Sequence, residues 1–236
     1  MKRKGDKKVK EIIFKKYEID KKPIGYGFFA KVYRGYDLQK ERGVAIKITR
    51  DLKRAYREVK AMKRFGKSEY LPVLYDFMRK NNKAYIVMEY IDGKNLWEEF
   101  IACGKLCDEK FSIQILMNVL KALHTLHERG YAHTDVKAKN IIIVDKDPQK
   151  IKIIDFNSTR YISKRIKIQR DLRSAAKLFV YLTNGAVYEK EKIYNPKFQN
   201  KKLKPVILKA LNKQYNSAQE FLDALSELQE LQGHHT

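Results

Sequence analysis

Tyr131 to Asn157, YAHTDVKAKNIIIVDKDPQKIKIIDFN, holds two short polar clusters, each tied to a run of apolar residues. The first is His133-Thr134-Asp135, followed by Lys137 and Asn140; the second is Asp155-Phe156-Asn157. Between them, Ile141 to Val144 and Ile151 to Ile154 read as two short β-branched strands, and Asp145-Lys146-Asp147-Pro148 supplies turn residues at the bend. A hairpin of this kind returns its two ends to one place, so Asp135, Asn140 and Asp155 are expected to converge. Two carboxylates and a carboxamide on a rigid hairpin suit a divalent cation with oxygen ligands. They also leave one carboxylate to accept a proton. A solvated surface turn explains either cluster alone, since Asp and Asn are common turn residues; the pair together asks what lies upstream.

Upstream, Tyr17 to Ile24 and Lys31 to Tyr36 read as strands flanking Gly25-Tyr26-Gly27-Phe28-Phe29-Ala30. A glycine turn lets backbone N–H groups approach a polyphosphate closely, although alone this pattern is an ordinary hairpin turn. Its place between two strands argues against a dinucleotide-binding unit, which needs a strand and a helix. Val44-Ala45-Ile46-Lys47-Ile48 alternates, putting Val44, Ile46 and Ile48 on a buried face and Ala45 and Lys47 on the other. The Lys47 ammonium is then either solvated or aimed at an anion. Asp51 to Phe65 reads as a helix in which Glu58 is the only acid between Leu52 and Gly66.

Leu71 to Met78 and Ala84 to Met88 read as strands around an Asn81-Asn82 turn, after which Glu89-Tyr90-Ile91-Asp92-Gly93 enters a loop. Asp108 to Arg129 is the clearest helix, with Phe111, Ile115, Val119, Ala122 and Leu126 at helical spacing, Asp108 as N-cap and Gly130 as stop. His124 and His127 in its last turns have no carboxylate or cysteine at ligand spacing, and read as packing and helix-end residues. Beyond the opening stretch, Asp171 begins an apolar helix that runs from Leu172 to Leu182.

The 236 residues are enough to bury a substantial core, and 44% hydrophobic content excludes a disordered chain. No apolar run approaches the roughly 18 residues that span a bilayer. The N-terminus MKRKGDKKVK is followed by no signal-type apolar stretch, so residues 1–10 are expected to form a flexible basic arm on a cytoplasmic protein. Cys103 and Cys107 stand alone and read as reduced and structural. A formal charge of +23 allows nucleic acid, anionic lipid or an acidic protein as partner. It is equally a compositional bias, since the chain is also rich in Ile, Tyr and Asn. Nothing in the sequence bears on oligomeric state.

Taken together, these segments resemble the protein kinases. HTDVKAKN resembles the catalytic loop H-R-D-L-K-P-E-N, and DFN resembles the metal loop D-F-G. Gly25, Tyr26, Gly27, Ala30 and Val32 match the glycine-rich loop, with Ala30 in place of its third glycine, and Val44 to Lys47 matches V-A-I-K. Glu58 in R-E-V-K-A-M is similar to the helix glutamate that pairs with the strand lysine. Asp171 is similar to the aspartate that holds the catalytic loop's backbone from the central helix. Leu208 to Leu211 and Gln214 to Leu222 resemble the last helices of bacterial kinases of the eukaryotic type. The resemblance covers residues 17 to 232.

The resemblance implies an α+β, bilobal fold, with an N-lobe over 11–91 and a C-lobe over 92–236. It implies ATP and Mg²⁺, or Mn²⁺, as cofactors. Lys47 would hold the α/β-phosphates with Glu58 orienting it, Ala45 would line the nucleotide pocket, and Met88, Glu89 and Ile91 would form the adenine hinge. Asn140 and Asp155 would hold the metal, Asp135 would take the hydroxyl proton, and Lys137 would neutralise charge on the γ-phosphoryl group. The departures are Thr134 for the arginine, Ala138 for the proline and Asn157 for the glycine. Asn157 suits that place if the backbone there is left-handed, which Asn tolerates better than most residues. There is no A-P-E segment, and Gln214 replaces the arginine that would pair with it.

Three functions follow from the resemblance. The first is a Ser/Thr protein kinase free of activation-loop phosphorylation, with the basic residues Arg160, Lys164, Arg165, Lys167, Arg170 and Arg173 selecting acidic protein substrates. The second is a kinase-fold enzyme for a small-molecule, sugar or lipid-linked acceptor, suggested by the missing substrate platform. The third is a weakly active or inactive module that binds nucleic acid or another polyanion through the same basic residues.

Overall fold

A computed structural model describes residues 10–27, 30–185 and 190–233. They fall into two compact units, one comprising the chain up to Gly66 with Pro72–Ile91, the other Lys67–Leu71 with the chain from Asp92 onward. The class is the expected α+β: a β-rich N-terminal unit with one helix, and a mainly helical C-terminal unit. Residues 1–9 of the expected basic arm, and Phe28 and Phe29 of the glycine turn, lie outside the described residues.

The N-terminal unit is a six-stranded antiparallel sheet and a helix. Its strands are β1 (Lys10–Ile13), β2 (Tyr17–Tyr26), β3 (Ala30–Asp37), β4 (Arg42–Thr49), β5 (Leu74–Lys80) and β6 (Lys83–Glu89), in the order β1-β2-β3-β4-β6-β5. Helix α1 (Leu52–Phe65) follows β4 and is capped by Asp51, whose side chain accepts from Arg54 N–H at 3.0 Å. Edge strand β1 takes in Lys10, the last residue assigned to the arm by sequence. Strand β5 begins at Leu74 rather than Leu71, because Pro72 has no N–H to give a ladder. Asn81 and Asn82 turn the β5–β6 hairpin with φ of 51° and 56°, a left-handed pair that Asn accepts. Tyr17, Ile19, Val44, Ile46 and Val87 form the buried cluster on one side of the sheet, with Ile48 only partly covered beside it.

Strand β4 is buried on both faces. Ala45 and Lys47 are buried as well as Val44 and Ile46. Helix α1 buries Glu58, Val59, Met62 and Phe65, and a strand covered on both faces loses its hydropathy alternation.

The C-terminal unit is built on α2 (Glu109–Glu128), after the short strand β7 (Lys94–Asn95) and a π-helical turn at Trp97–Ile101. Asp108 caps α2, accepting from Phe111 N–H at 2.7 Å. Beyond α2 come β8 (Tyr131–Ala132), β9 (Ile141–Ile143), β10 (Ile151–Ile153) and β11 (Arg160–Tyr161), then α3 (Ile166–Asn184), α4 (Lys190–Tyr194), α5 (Leu203–Leu211) and α6 (Ala218–Gly233). Helix α2 packs against α3 and α6, burying Ile115, Val119, Ala122 and Leu126 with Leu172, Ala176, Phe179 and Phe221. Helix α3 starts at Ile166, ahead of Asp171, which therefore sits inside the helix and not at its head. The alternating Ile166-Lys167-Ile168 carries no N-cap signal, and Arg165 at the N-cap makes no side-chain cap bond. No helix among the described residues is long and apolar enough to cross a membrane.

Candidate active site

The hairpin expected at 141–154 forms as β9 and β10, antiparallel with Ile141 opposite Ile153 and Ile143 opposite Ile151. Asp145 and Lys146 make its bend with φ of 53° and 56°. Its open end joins the two polar clusters directly, as Ile154 N–H donates to Asn140 O at 2.8 Å. The Asn140 amide donates to the Asp135 carbonyl at 2.9 Å and to Asp135 Oδ2 at 3.0 Å. Lys137 Nζ donates to the same Oδ2 at 2.7 Å. Asp135 Oδ2 thus takes two side-chain donors.

His133 welds the clusters together and is fully buried. Its Nε2 lies 3.2 Å from Ile154 O, and its Nδ1 accepts from Asp135 N–H at 3.3 Å. A carbonyl only accepts and an amide only donates, so the two partners select the neutral Nε2–H tautomer. Burial pushes the His133 pKa down, against the opposing pull of the Asp171, Asp155 and Asp135 carboxylates. Its ring meets the buried Phe156 edge-on, with centroids 5.3 Å apart.

The loop is hung from α3 by one carboxylate. Asp171 Oδ2 accepts from His133 N–H and Oδ1 from Thr134 N–H, both at 2.8 Å, and His127 Nε2 stands 3.0 Å from Oδ2. Thr134 and Asp155 both have left-handed backbones, with φ of 63° and 68°. Each costs about 1–3 kcal/mol outside glycine and persists only because these bonds hold it.

The N-terminal unit brings its own expected residues together. The register sets Gly25 opposite Val32, Val32 opposite Lys47, and Ala45 opposite Met88, which puts all five on one face of the sheet. Lys47 Nζ donates to Glu58 Oε2 at 2.8 Å and Oε1 at 2.9 Å, within a buried pair. Tyr26 is exposed beside Gly25, Gly27 pairs with Ala30 across the turn, and Glu89 at the end of β6 and Ile91 beyond it are half-buried. Gly25 and Gly27 each have room for a β-carbon, the nearest atoms being 3.7 Å and 3.5 Å away, and neither has a left-handed backbone. The fold alone does not ask for glycine there.

A model of the protein kinase domain matches residues 17–199. The chain belongs to the protein kinase family. The kinase domain is 35% identical over 150 residues to a maternal embryonic leucine zipper kinase of Danio rerio, covering 61% of this chain and 21% of that protein. It is 31% identical over 162 residues to the human serine/threonine-protein kinase ULK1, covering 62% and 15%. With a CBL-interacting serine/threonine-protein kinase 7 of Arabidopsis thaliana it shares 29% over 154 residues, covering 62% and 35%. The chain therefore spans between 15% and 35% of the length of these relatives.

One expectation changes in this kinase domain. Asn157 is not left-handed, whereas Asp155, two residues earlier, is. Asn157 instead uses its Oδ1 to accept from Ser158 Oγ at 2.9 Å. The basic segment lies at the surface, with Arg160, Lys164, Arg165 and Arg170 exposed; Arg160 donates to the Ser158 and Thr159 carbonyls, Arg165 to Asn216, Lys167 to Tyr161 O and Ser163, and Arg173 to the Tyr194 hydroxyl. Sequence reasoning gave His133 no role and took His127 only as a helix-end residue. Their spacing to each other and to Asp171 carries no local signal, because the contacts close over about forty residues of chain.

No three His, Cys, Asp or Glu side chains among the described residues cluster as a metal site. The fit to Mg²⁺ rests on a smaller set. The Asn140 amide nitrogen bonds to Asp135, and the Asn140 carboxamide oxygen and the Asp155 carboxylate are the hard oxygen type that Mg²⁺ takes. Mg²⁺ takes one or two such oxygens and completes its shell with water and substrate phosphate, so the residues present fit it.

Proposed function

We propose that the chain transfers the γ-phosphoryl group of ATP to serine and threonine hydroxyls of proteins, without control by phosphorylation of the segment after Asp155. The observation that carries this reading is Asp135, fixed by Asn140 and Lys137 at the open end of the β9–β10 hairpin, with Asp155 delivered by the other strand. In the N-terminal unit, Gly25, Tyr26, Gly27 and Ala30 bring backbone N–H groups to the phosphates, with Val32, Ala45 and Met88 against the base. Glu89 and Ile91 offer backbone groups to the adenine edge. Lys47, oriented by Glu58, takes the α- and β-phosphates. In the C-terminal unit, Asn140 and Asp155 supply the oxygens for Mg²⁺ or Mn²⁺, which when bound neutralises phosphate charge. The Asp135 carboxylate accepts the proton of the attacking hydroxyl as the hydroxyl oxygen bonds to the γ-phosphorus and the bond to the β-phosphate oxygen breaks. Lys137 bears on the charge of the moving group. The free Cys103 and Cys107 suit a cytoplasmic setting.

A second reading, transfer to a small-molecule or lipid-linked acceptor, is favoured by the short link between Asp155 and α3. The third, a polyanion-binding module, would use the exposed Arg160, Lys164, Arg165 and Arg170. The test is labelled ATP with Mg²⁺ or Mn²⁺, offered with acidic and basic protein acceptors and a small-molecule panel, using wild type, Asp135→Asn and Asp155→Ala. Label on protein serine or threonine, lost in both variants and on chelation with EDTA, is the expected result. Rapid labelling of a small molecule with no protein labelled would replace this reading with the second.

A further inference from the structure

We propose that Thr134 is a positioning residue whose hydroxyl, through the Ser158 carbonyl, holds the Asp155-Phe156-Asn157 loop in place. The inference rests on the kinase reading for its consequence in catalysis, but its geometry stands apart from it. Thr134 is a β-branched residue with a φ of 63°, a backbone that glycine or asparagine adopts more easily. Its side chain is exposed, so packing does not account for it. What threonine adds over glycine is Oγ1, which donates to Ser158 O at 2.6 Å. The backbone N–H of the same residue donates to Asp171 Oδ1. Thr134 is therefore tied to α3 by its main chain and to the segment after Asp155 by its hydroxyl.

The segment it holds is short and runs back along the strand before the catalytic loop. Arg160 and Tyr161 pair with Ala132 and Tyr131, and Ile162 N–H donates to Gly130 O at 2.8 Å. Thr159 N–H donates to Phe156 O at 3.1 Å, and Arg160 gives Ser158 O a second donor at 2.7 Å. The Thr134 hydroxyl closes the end of this ladder nearest Asp155. The hydroxyls at the start of the segment are themselves committed or covered: Ser158 Oγ donates to Asn157, and Thr159 is buried.

The experiment compares wild type with Thr134→Val, Thr134→Gly and Thr134→Ser in two measurements. One is kcat/KM for Mg–ATP with the best protein acceptor; the other is amide hydrogen exchange over residues 156–162 without nucleotide. Valine keeps the shape and glycine relieves the backbone, yet both lack the hydroxyl. Both are expected to lower kcat/KM and speed exchange by about five- to tenfold, the worth of one neutral hydrogen bond. Serine is expected to restore both, and the glycine variant is expected to melt no lower than wild type. Loss of stability in step with loss of activity in the glycine variant would mean a merely structural role and overturn the proposal. So would valine behaving as wild type in exchange. If wild type transfers no phosphate to any protein, the kinase reading fails while the exchange measurement still decides the role of Thr134.

Discussion

Lys47 and Glu58 meet as a buried ion pair, the lysine ammonium lying 2.8 and 2.9 Å from the two carboxylate oxygens. Their side chains are only 7% and 2% exposed. Breaking such a pair from one side leaves a charge in a medium that solvates it poorly, which costs about 3–5 kcal/mol. Lys47→Met is expected to lose that much stability by urea unfolding. The double variant Lys47→Met/Glu58→Leu is expected to regain most of it, since replacing both partners with apolar groups is often neutral. Both should lose ATP binding. A single variant that unfolds within about 1 kcal/mol of wild type would show that the pair is solvated.

Gly93 and the turn residues Gly25 and Gly27 answer to different demands, and alanine separates them. A β-carbon at Gly93 would fall 2.4 Å from Ile143 O and 2.8 Å from the Ile142 side chain, so strand β9 would have to move. Gly93→Ala is expected to cost about 1–3 kcal/mol, as overpacking does. Gly25→Ala and Gly27→Ala have open space and should unfold like wild type. On the proposed function both raise KM for ATP, because the added methyl stands between the backbone and the phosphates. Equal stability losses at all three positions would remove that argument.

Local pattern made the hairpin, its bend, the caps of α1 and α2 and the two polar clusters legible, because each is decided within a few residues. What was not legible depends on distant chain. The strand pattern alone left Lys47 either solvated or aimed at an anion; its pairing with Glu58 came only from the kinase resemblance, because the two residues lie on different elements. Strand β11 is two residues long and exists because Tyr131 and Ala132 are there to pair with it. The left-handed position near the metal loop was assigned to Asn157 from residue type, but the backbone turns at Asp155, which His133 and Asn140 hold through Ile154. Thr134 looked like a loss relative to the kinase pattern, and its bond to Ser158 O is visible only in three dimensions.

His133 gives the fold a pH dependence with a definite sign. Burial holds its pKa below the ordinary histidine value of 6.5, so the folded protein keeps it neutral while the unfolded chain takes up a proton. Its contribution is therefore fully present above pH 6.5 and is lost as pH falls through the window between 6.5 and the depressed folded value. The expected slope is up to about 1.4 kcal/mol per pH unit. Urea midpoints from pH 7.5 downward should fall in wild type, and the difference in slope against His133→Phe isolates this residue. Parallel slopes would mean that His133 titrates normally in the folded state.

Asp171 carries the catalytic loop on two oxygens, and its amide counterpart is the sharpest test of that arrangement. Both oxygens are needed as acceptors, Oδ1 for Thr134 N–H and Oδ2 for His133 N–H and His127. Asp171→Asn keeps the size but turns one of them into an NH₂ group facing a backbone donor. Hydrogen bonds to a charged group are each worth about 1.5–3 kcal/mol, and a buried N–H left unpaired adds its own cost. The variant should therefore lose about 3 kcal/mol or more of stability. Its remaining folded fraction should show faster amide exchange at His133 and Thr134 than anywhere in the N-terminal unit. His127→Phe removes only one of the three donors and leaves both backbone bonds, so it should cost less and leave that exchange slow. A histidine variant as disruptive as the asparagine one would place the weight on the side-chain contact instead of on the two backbone bonds.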